Sequence, residues 1–314
     1  MTTLSLPDAT PGSGRPRPSL APSVAAYLAD VVAECAAPDG SLVSLVLFGS
    51  ATTGGYAAAV SDVDLLVVVA DGADAAERRR MGDVVSAAEA RHGLSKPRGR
   101  AGGLGRTLAT FADRVTTNVR AFFVCTRADL LSGDPGRILG ISPAQARFVD
   151  RVAIPSIVGS GVTVWGEDLL ADVPLPPIRR RDVGKAFFGL FNQALLAAAC
   201  YPVLPGATRY AMDTLKRSVH SCHFCYHGRP APLAEEVAFF ARRHGPSAAL
   251  ARLLTLRQEY RPSYGFVLGC VPTLARLHLR TAREAQFPRA VQVGAADSGP
   301  GARVVLYGDG EPLK

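Results

Sequence analysis

Two stretches of the chain are apolar and β-branched almost without interruption: 41–48 (SLVSLVLF) and 62–69 (DVDLLVVV). Short runs of this kind predict strands buried on both faces. Residues 116–125 (TTNVRAFFVC) predict a third strand, and 162–165 a short edge strand. Around them the apolar residues recur at three-and-four spacing, which predicts helices. One is expected over 23–36 with Ser23 as N-cap, and a polar, Ala-rich one over 73–91. Thr126 with Asp129 reads as a capping-box start. Ser142-Pro143 reads as an N-cap followed by Pro at the first helical position. Residues 49–55 break the first strand, and the basic, Gly-rich stretch 95–106 (SKPRGRAGGLGR) reads as a mobile loop.

At 172–182 the pattern changes. Pro174, Pro176 and Pro177 precede Arg179-Arg180-Arg181, and a domain boundary is placed there. Beyond it the spacing is helical throughout, with helices expected over 182–200, 208–227, 233–244, 246–259 and 263–285. Residues 1–22 carry five prolines among Ser, Thr and Gly and read as a disordered tail. Residues 286–314 read as a flexible tail with an isolated strand near 303–307. The division is therefore 1–22, 23–176, 177–285 and 286–314. The fold class is α+β: a mixed sheet with flanking helices, followed by an all-α bundle.

Composition narrows the function classes. The chain has 314 residues, 48% hydrophobic and 20% charged, enough for sizeable cores. The formal net charge is +8, which favours anionic partners in general. Four of the 35 basic residues are Lys (Lys96, Lys185, Lys216, Lys314), and the Arg excess tracks the heavy Ala and Gly usage more than any nucleic-acid role. The longest apolar candidate for a membrane span, 186–204, contains Asn192 and Gln193 and ends beyond Pro202, so it reads as a buried helix. Six Cys with no framework spacing, and no secretory leader pattern, favour a reduced, cytoplasmic setting.

The chemistry concentrates in Leu47-Phe48-Gly49-Ser50, followed after eleven residues by Asp62-Val63-Asp64-Leu65. Asp62 and Asp64, two apart on a strand, point to one face. Like charges placed side by side repel, and a hard divalent cation is the usual reason to accept that. Mg²⁺ takes one or two carboxylates plus substrate phosphates. Gly49 and Ser50, where a strand gives way to a turn, offer backbone N–H groups and close approach to phosphate oxygens. An anion cradle beside a metal pair describes a nucleoside triphosphate site.

These motifs resemble the signature of the DNA polymerase β-type nucleotidyltransferase superfamily. The order of a catalytic domain and then a helical bundle is similar to the antibiotic nucleotidyltransferases of the aminoglycoside type. The resemblance covers residues 40–130 by motif, and to about 285 by architecture. It implies Mg²⁺-dependent transfer of a nucleoside monophosphate, AMP from ATP being the expected case, to a hydroxyl of a small-molecule acceptor. Asp62 and Asp64 are then the metal ligands and catalytic acids, and Gly49 and Ser50 bind the triphosphate. One departure stands out. The family's third carboxylate falls on the strand 116–125, where this chain has Arg120, with Asn118 on the same face. Arg120 cannot act as a base. A carboxylate from the helical part is expected to substitute, with Asp213 as the candidate. Lys216 and Arg217, on the same helix, are candidate triphosphate contacts.

Two alternatives remain. The +8 charge suits an enzyme of the same class acting on tRNA, and the missing acid suits a degenerate member that binds nucleotide without turnover. The string His220-Ser221-Cys222-His223-Phe224-Cys225-Tyr226-His227 has zinc-like composition, but one helix would spread those side chains over different faces, so buried packing is the expectation. The triplets Arg78-Arg79-Arg80 and Arg179-Arg180-Arg181 are expected to be solvated.

Overall fold

The computed structural model describes residues 20–36, 40–58, 60–94, 121–147, 149–175, 177–204, 206–287, 290–293 and 303–306. Helix α1 (Pro22–Cys35) leads into β1 (Leu42–Phe48), β2 (Asp64–Val69) and α2 (Ala75–Arg91). Then come β3 (Phe122–Thr126), the short helices α3 (Arg127–Leu131), α4 (Pro135–Ile138) and α5 (Pro143–Ala146), α6 (Ala153–Ser160), and β4 (Val162–Gly166). The sheet order is β3-β2-β1-β4, with β1 antiparallel to both neighbours and β2 parallel to β3.

Both faces of this mixed sheet are covered, which explains the unbroken apolar runs. On the back face, Leu45, Leu47, Leu65 and Val67 pack against Tyr27, Leu28 and Val31 of α1 and Met81, Val85 and Ala88 of α2. On the front face, Val46, Phe48, Leu66 and Val68 pack against Ile154, Ile157 and Val158 of α6. Phe224 and Cys225 of a later helix join that front cluster.

The rest is helical: α7 (Arg180–Cys200), α8 (Ala207–His227), α9 (Leu233–His244), α10 (Ala248–Gln258) and α11 (Tyr264–Glu284). Their shared core is built from Leu215, Val219, Cys222, Phe240, Leu253 and Cys270.

Several local expectations shift. Pro22, not a capped Ser23, opens α1, since its fixed φ suits the first helical position. Asp74 caps α2 through the Glu77 N–H. Thr126 and Ser142 cap as expected, each in a reciprocal box with its N3 side chain. Residues 303–306 are not an isolated strand: β6 (Arg303–Leu306) pairs antiparallel with β5 (Ala290–Val293), because a lone strand leaves its backbone groups unsatisfied. The 95–106 loop, Arg120 and the start of the expected strand 116–125 lie outside the described residues. Helix α7 is also less buried than expected, with 28% of its apolar window inside the fold.

Candidate active site

The site forms where β1 ends. Phe48 pairs with Asp64 as the last rung of the β1–β2 ladder, and the chain then enters a single 3-10 turn over Gly49–Ala51. Gly49 has φ +75°, and a Cβ there would stand 2.5 Å from Asp64 Oδ2. Both the backbone conformation and the close approach of a carboxylate therefore require glycine. The Gly49 N–H donates to Ser160 Oγ at 3.1 Å, and the Ser160 hydroxyl donates to Ser156 O at 2.7 Å, one turn back on α6. The Thr52 and Thr53 hydroxyls donate to Gly49 O at 2.9 and 3.1 Å. The turn is thus held from both sides by short hydroxyl side chains, with half-buried Ser50 next along.

Asp64 alternates with Leu66 and Val68, so its carboxylate lies on the front face. Asp62 precedes the strand, which begins at Asp64 rather than 62. Because β1 leaves the sheet at Gly49, the β1 side of the ladder ends at Asp64. Both carboxylates are half-buried, and their field reaches several neighbours. Burial and then Asp62 push up the Tyr56 phenol, whose hydroxyl is buried without a hydrogen-bond partner. The Tyr27 phenol is pushed up by burial, then by Glu89, with Asp64 among the further causes.

Glu89 was not foreseen. It follows Val85 by one turn on the inner side of α2, near the end that returns to the mouth of β2. Burial, and then Asp62, raise its carboxyl to about 7. The sequence signal was an acid four residues after a buried valine, on the edge of the stripe Met81, Val85, Ala88.

Arg257 was not foreseen either. It is a buried cation on α10, and its guanidinium donates to Gly55 O and to Ser61 Oγ, each at 2.9 Å. Ser61 Oγ also accepts the Ala57 N–H at 2.9 Å. Arg257 thereby ties the helical part to the loop that joins Gly49 to Asp62. Burial lowers its pKa, and the nearby charges of Asp213 and Asp62 oppose that effect.

Asp213 therefore lies within electrostatic range of the same guanidinium that Asp62 feels. Its own carboxylate is about half exposed, with Arg217 Nε 3.2 Å away across one turn of α8. Arg217 also donates to Gln193 of α7. Lys216 is half-buried on α8. Arg257 thus stands within electrostatic range of both Asp62 and Asp213, while Lys216 and Arg217 follow Asp213 on α8.

Asp62 and Asp64 offer hard oxygen donors at a strand mouth. That donor set fits Mg²⁺ when substrate phosphates complete the shell. Among the described residues, no group of three or more His, Cys, Asp or Glu is arranged to hold a metal unaided. In the His220–His227 string, His220 Nδ1 lies 2.5 Å from Glu236 Oε2, and Cys222, Phe224 and Cys225 are buried. Burial pushes the Cys222 thiol up to about 12 and lowers His223 to about 3. The first Arg triplet is solvated as expected, with Arg80 Nε 2.8 Å from Glu77.

Residues 30–93 match the family model of the nucleotidyltransferase domain. One solved structure similar to this chain is the spectinomycin adenyltransferase AAD(9) from Enterococcus faecialis, solved with ATP and spectinomycin. It is 12% identical with a TM-score of 0.46, and the alignment covers 82% of this chain and 96% of that one. No curated protein matches the sequence. The matched segment runs from the second half of α1 through β1, the Gly49-Ser50 turn, Asp62 and Asp64 to the end of α2.

Proposed function

We propose that the protein transfers a nucleoside monophosphate, AMP from ATP, to a hydroxyl of a small-molecule acceptor in a Mg²⁺-dependent reaction. The observation that supports this most is the Asp64 carboxylate packed against the positive-φ Gly49, with Asp62 beside it, inside the matched segment. In this reading the acceptor oxygen attacks the α-phosphorus. A new O–P bond forms, the bond to the pyrophosphate oxygen breaks, and pyrophosphate leaves. Asp62 and Asp64 would hold Mg²⁺, which would supply charge neutralisation to the triphosphate. Such transfer depends chiefly on positioning and charge stabilisation. Gly49 and Ser50 shape the phosphate side of the site, and Lys216 and Arg217 supply cations toward the triphosphate. Asp213 takes the proton from the acceptor hydroxyl. Arg257 holds the 55–61 loop, and with it Asp62, in register with α8.

The test is ATP turnover with a panel of hydroxylated small molecules, with products read by mass spectrometry. Mg²⁺-dependent release of pyrophosphate with one adenylyl group gained per acceptor supports the reading. Adenylylated tRNA with untouched small molecules replaces the acceptor. Tight ATP binding without any turnover refutes the enzymatic reading.

A further inference from the structure

Every large hydrophobic side chain that stands exposed among the described residues belongs to α7, α11 or the bend after α7. They are Phe188 at 59% exposure, Leu195 at 43%, Val203 at 55%, Tyr264 at 46%, Leu268 at 47% and Leu279 at 56%. Scattered exposed apolar residues are ordinary, but their concentration on one face is not. The two helices pack antiparallel. Tyr201 stacks on Tyr264 with centroids 4.9 Å apart at one end, and Phe187 meets His278 at 5.7 Å at the other. Between them Phe187, Phe191 and Val271 are half-buried along the seam, over Leu190, Ala194 and Leu274. On a helical wheel, Phe188 and Leu195 border the seam from α7, and Leu268 and Leu279 border it from α11. The exposed residues therefore share one face of the two-helix layer.

That face is also unusually free of charge. No Asp, Glu, Lys or Arg occurs between Lys185 and Arg209, nor from Tyr264 to Ala275. The cations sit at one end only: Arg180, Arg181 and Lys185 at the start of α7, and Arg276, Arg280 and Arg283 toward the end of α11. The exposed stripe of α7 runs Gly184, Phe188, Asn192, Leu195, Ala199, so its one polar member falls at the centre.

We propose that this α7–α11 face is an isologous dimer interface whose occupant is a second copy of the chain, with α7 crossing α7 antiparallel about a dyad at Asn192. Three observations select that occupant. First, each helix has 21 residues. That gives a length of about 30 Å, and two helices about 8–10 Å apart offer about 600 Å² per copy. The total of about 1,200 Å² reaches the range of specific interfaces. Second, a dyad at Asn192 brings Phe188 of one copy level with residues 195–196 of the other, and lets the two central amides hydrogen-bond to each other. A lipid phase gives an isolated amide no such partner. Third, the antiparallel crossing keeps the cations of one copy's α7 and α11 away from those of the other copy's α7 and α11.

Sedimentation equilibrium of the full chain is the first measurement, alongside Phe188→Glu and Leu195→Glu. Both positions are exposed, so circular dichroism and thermal unfolding of the variants should match wild type. A wild-type dimer whose dissociation constant rises at least about tenfold in each variant supports the proposal, since each change buries a lone charge. The second measurement fixes the geometry. In a Cys200→Ser background, Asn192→Cys should form an intermolecular disulfide under mild oxidation, as only a dyad at that residue brings the two sulfurs together. A wild-type monomer at about 100 μM overturns the proposal. So does a dimer indifferent to both Glu variants. Failure of the Asn192→Cys disulfide overturns the dyad. A monomer that instead sediments with anionic vesicles reassigns the face to a membrane surface. None of these readouts depends on nucleotide turnover, so the outcome is separable from the proposed activity.

Discussion

Arg257 and Arg217 both come from the helical part, and both stand within reach of Asp213, yet their surroundings differ. Arg257 is 9% exposed and ends on a backbone carbonyl and a serine hydroxyl of the 55–61 loop. Arg217 is a quarter exposed, pairs with a half-exposed Asp213 and also donates to Gln193. Removing the partner of a buried charge is costly, whereas exposed pairs are worth little because water and salt screen them. Arg257 therefore acts as a fixed strut, whereas the Asp213–Arg217 pair, more open to water, is the weaker of the two attachments. The same cation chemistry produces a firm attachment in one place and a weaker one in the other.

The comparison can be broken most strongly at the acids that the strut positions. Asp62→Ala or Asp64→Ala should each lower Mg²⁺-dependent NTP turnover by at least about a thousandfold, the scale of losing preorganised charge stabilisation. Thermal unfolding should hold or improve, because like charges are relieved. Activity equal to wild type would remove both acids from the mechanism.

Gly49→Ala tests the turn itself. An added Cβ would meet Asp64 Oδ2 at 2.5 Å in a left-handed backbone. A loss of about 2 kcal/mol is expected from strain and displacement of that carboxylate, measured by chemical denaturation. Wild-type stability would mean that Asp64 is mobile.

Arg257→Met should destabilise the chain by about 3 kcal/mol, since Gly55 O and Ser61 Oγ lose a charged donor in a buried setting. Arg257→Lys should recover part of it. If Met is tolerated without loss, the 55–61 loop is held by something other than the strut.

Glu89 sharpens the picture through pH. Its carboxyl is raised to about 7 by burial and by Asp62, while in the unfolded chain it titrates near about 4.3. Between those values the folded state keeps a proton that the unfolded state has lost, so this group's contribution to stability declines as pH rises through the window. In metal-free buffer, Glu89→Gln should melt above wild type at about pH 8, with the gap closing toward about pH 4. A gap that is constant with pH would show that Glu89 titrates normally.

The smallest effect belongs to the exposed pair. Asp213→Asn should change folding stability by less than about 1 kcal/mol, yet remove most turnover if Asp213 is the base. Equal turnover in the variant shifts the base elsewhere, with Glu89 the next carboxylate to substitute.

What the sequence disclosed follows from locality. The strands, the Gly49-Ser50 break and the Asp62-x-Asp64 spacing are set within a few residues of one another, and so are the caps at Thr126 and Ser142. Helices α7 to α11 were legible because each carries a periodic apolar stripe. Helix α6 was not: Ala153–Ser160 (AIPSIVGS) is short, β-branched and contains Pro155 and Gly159, and burial against the sheet overrides its weak propensity. Ser160 consequently escaped notice, although it orients Gly49 from 111 positions away. Arg257 lies 196 positions from Ser61, and nothing in an Arg-rich chain sets it apart before folding brings the loop to it.

The sheet order has a consequence during synthesis. β1 lies between β2 and β4, and it meets β4 only when residues 162–166 have been made. Its sequence LVSLVLF is apolar, uncharged and lacks proline, which is the profile of a strand prone to pair with foreign chains. From the end of β1 to the end of β4 the ribosome adds roughly 120 residues, on the order of 6–24 s at about 5–20 residues per second. For that interval one edge of β1 has no partner from its own chain. Translation speed through this region, and chaperones that occupy nascent apolar strands, will therefore govern how much of the protein reaches its folded form.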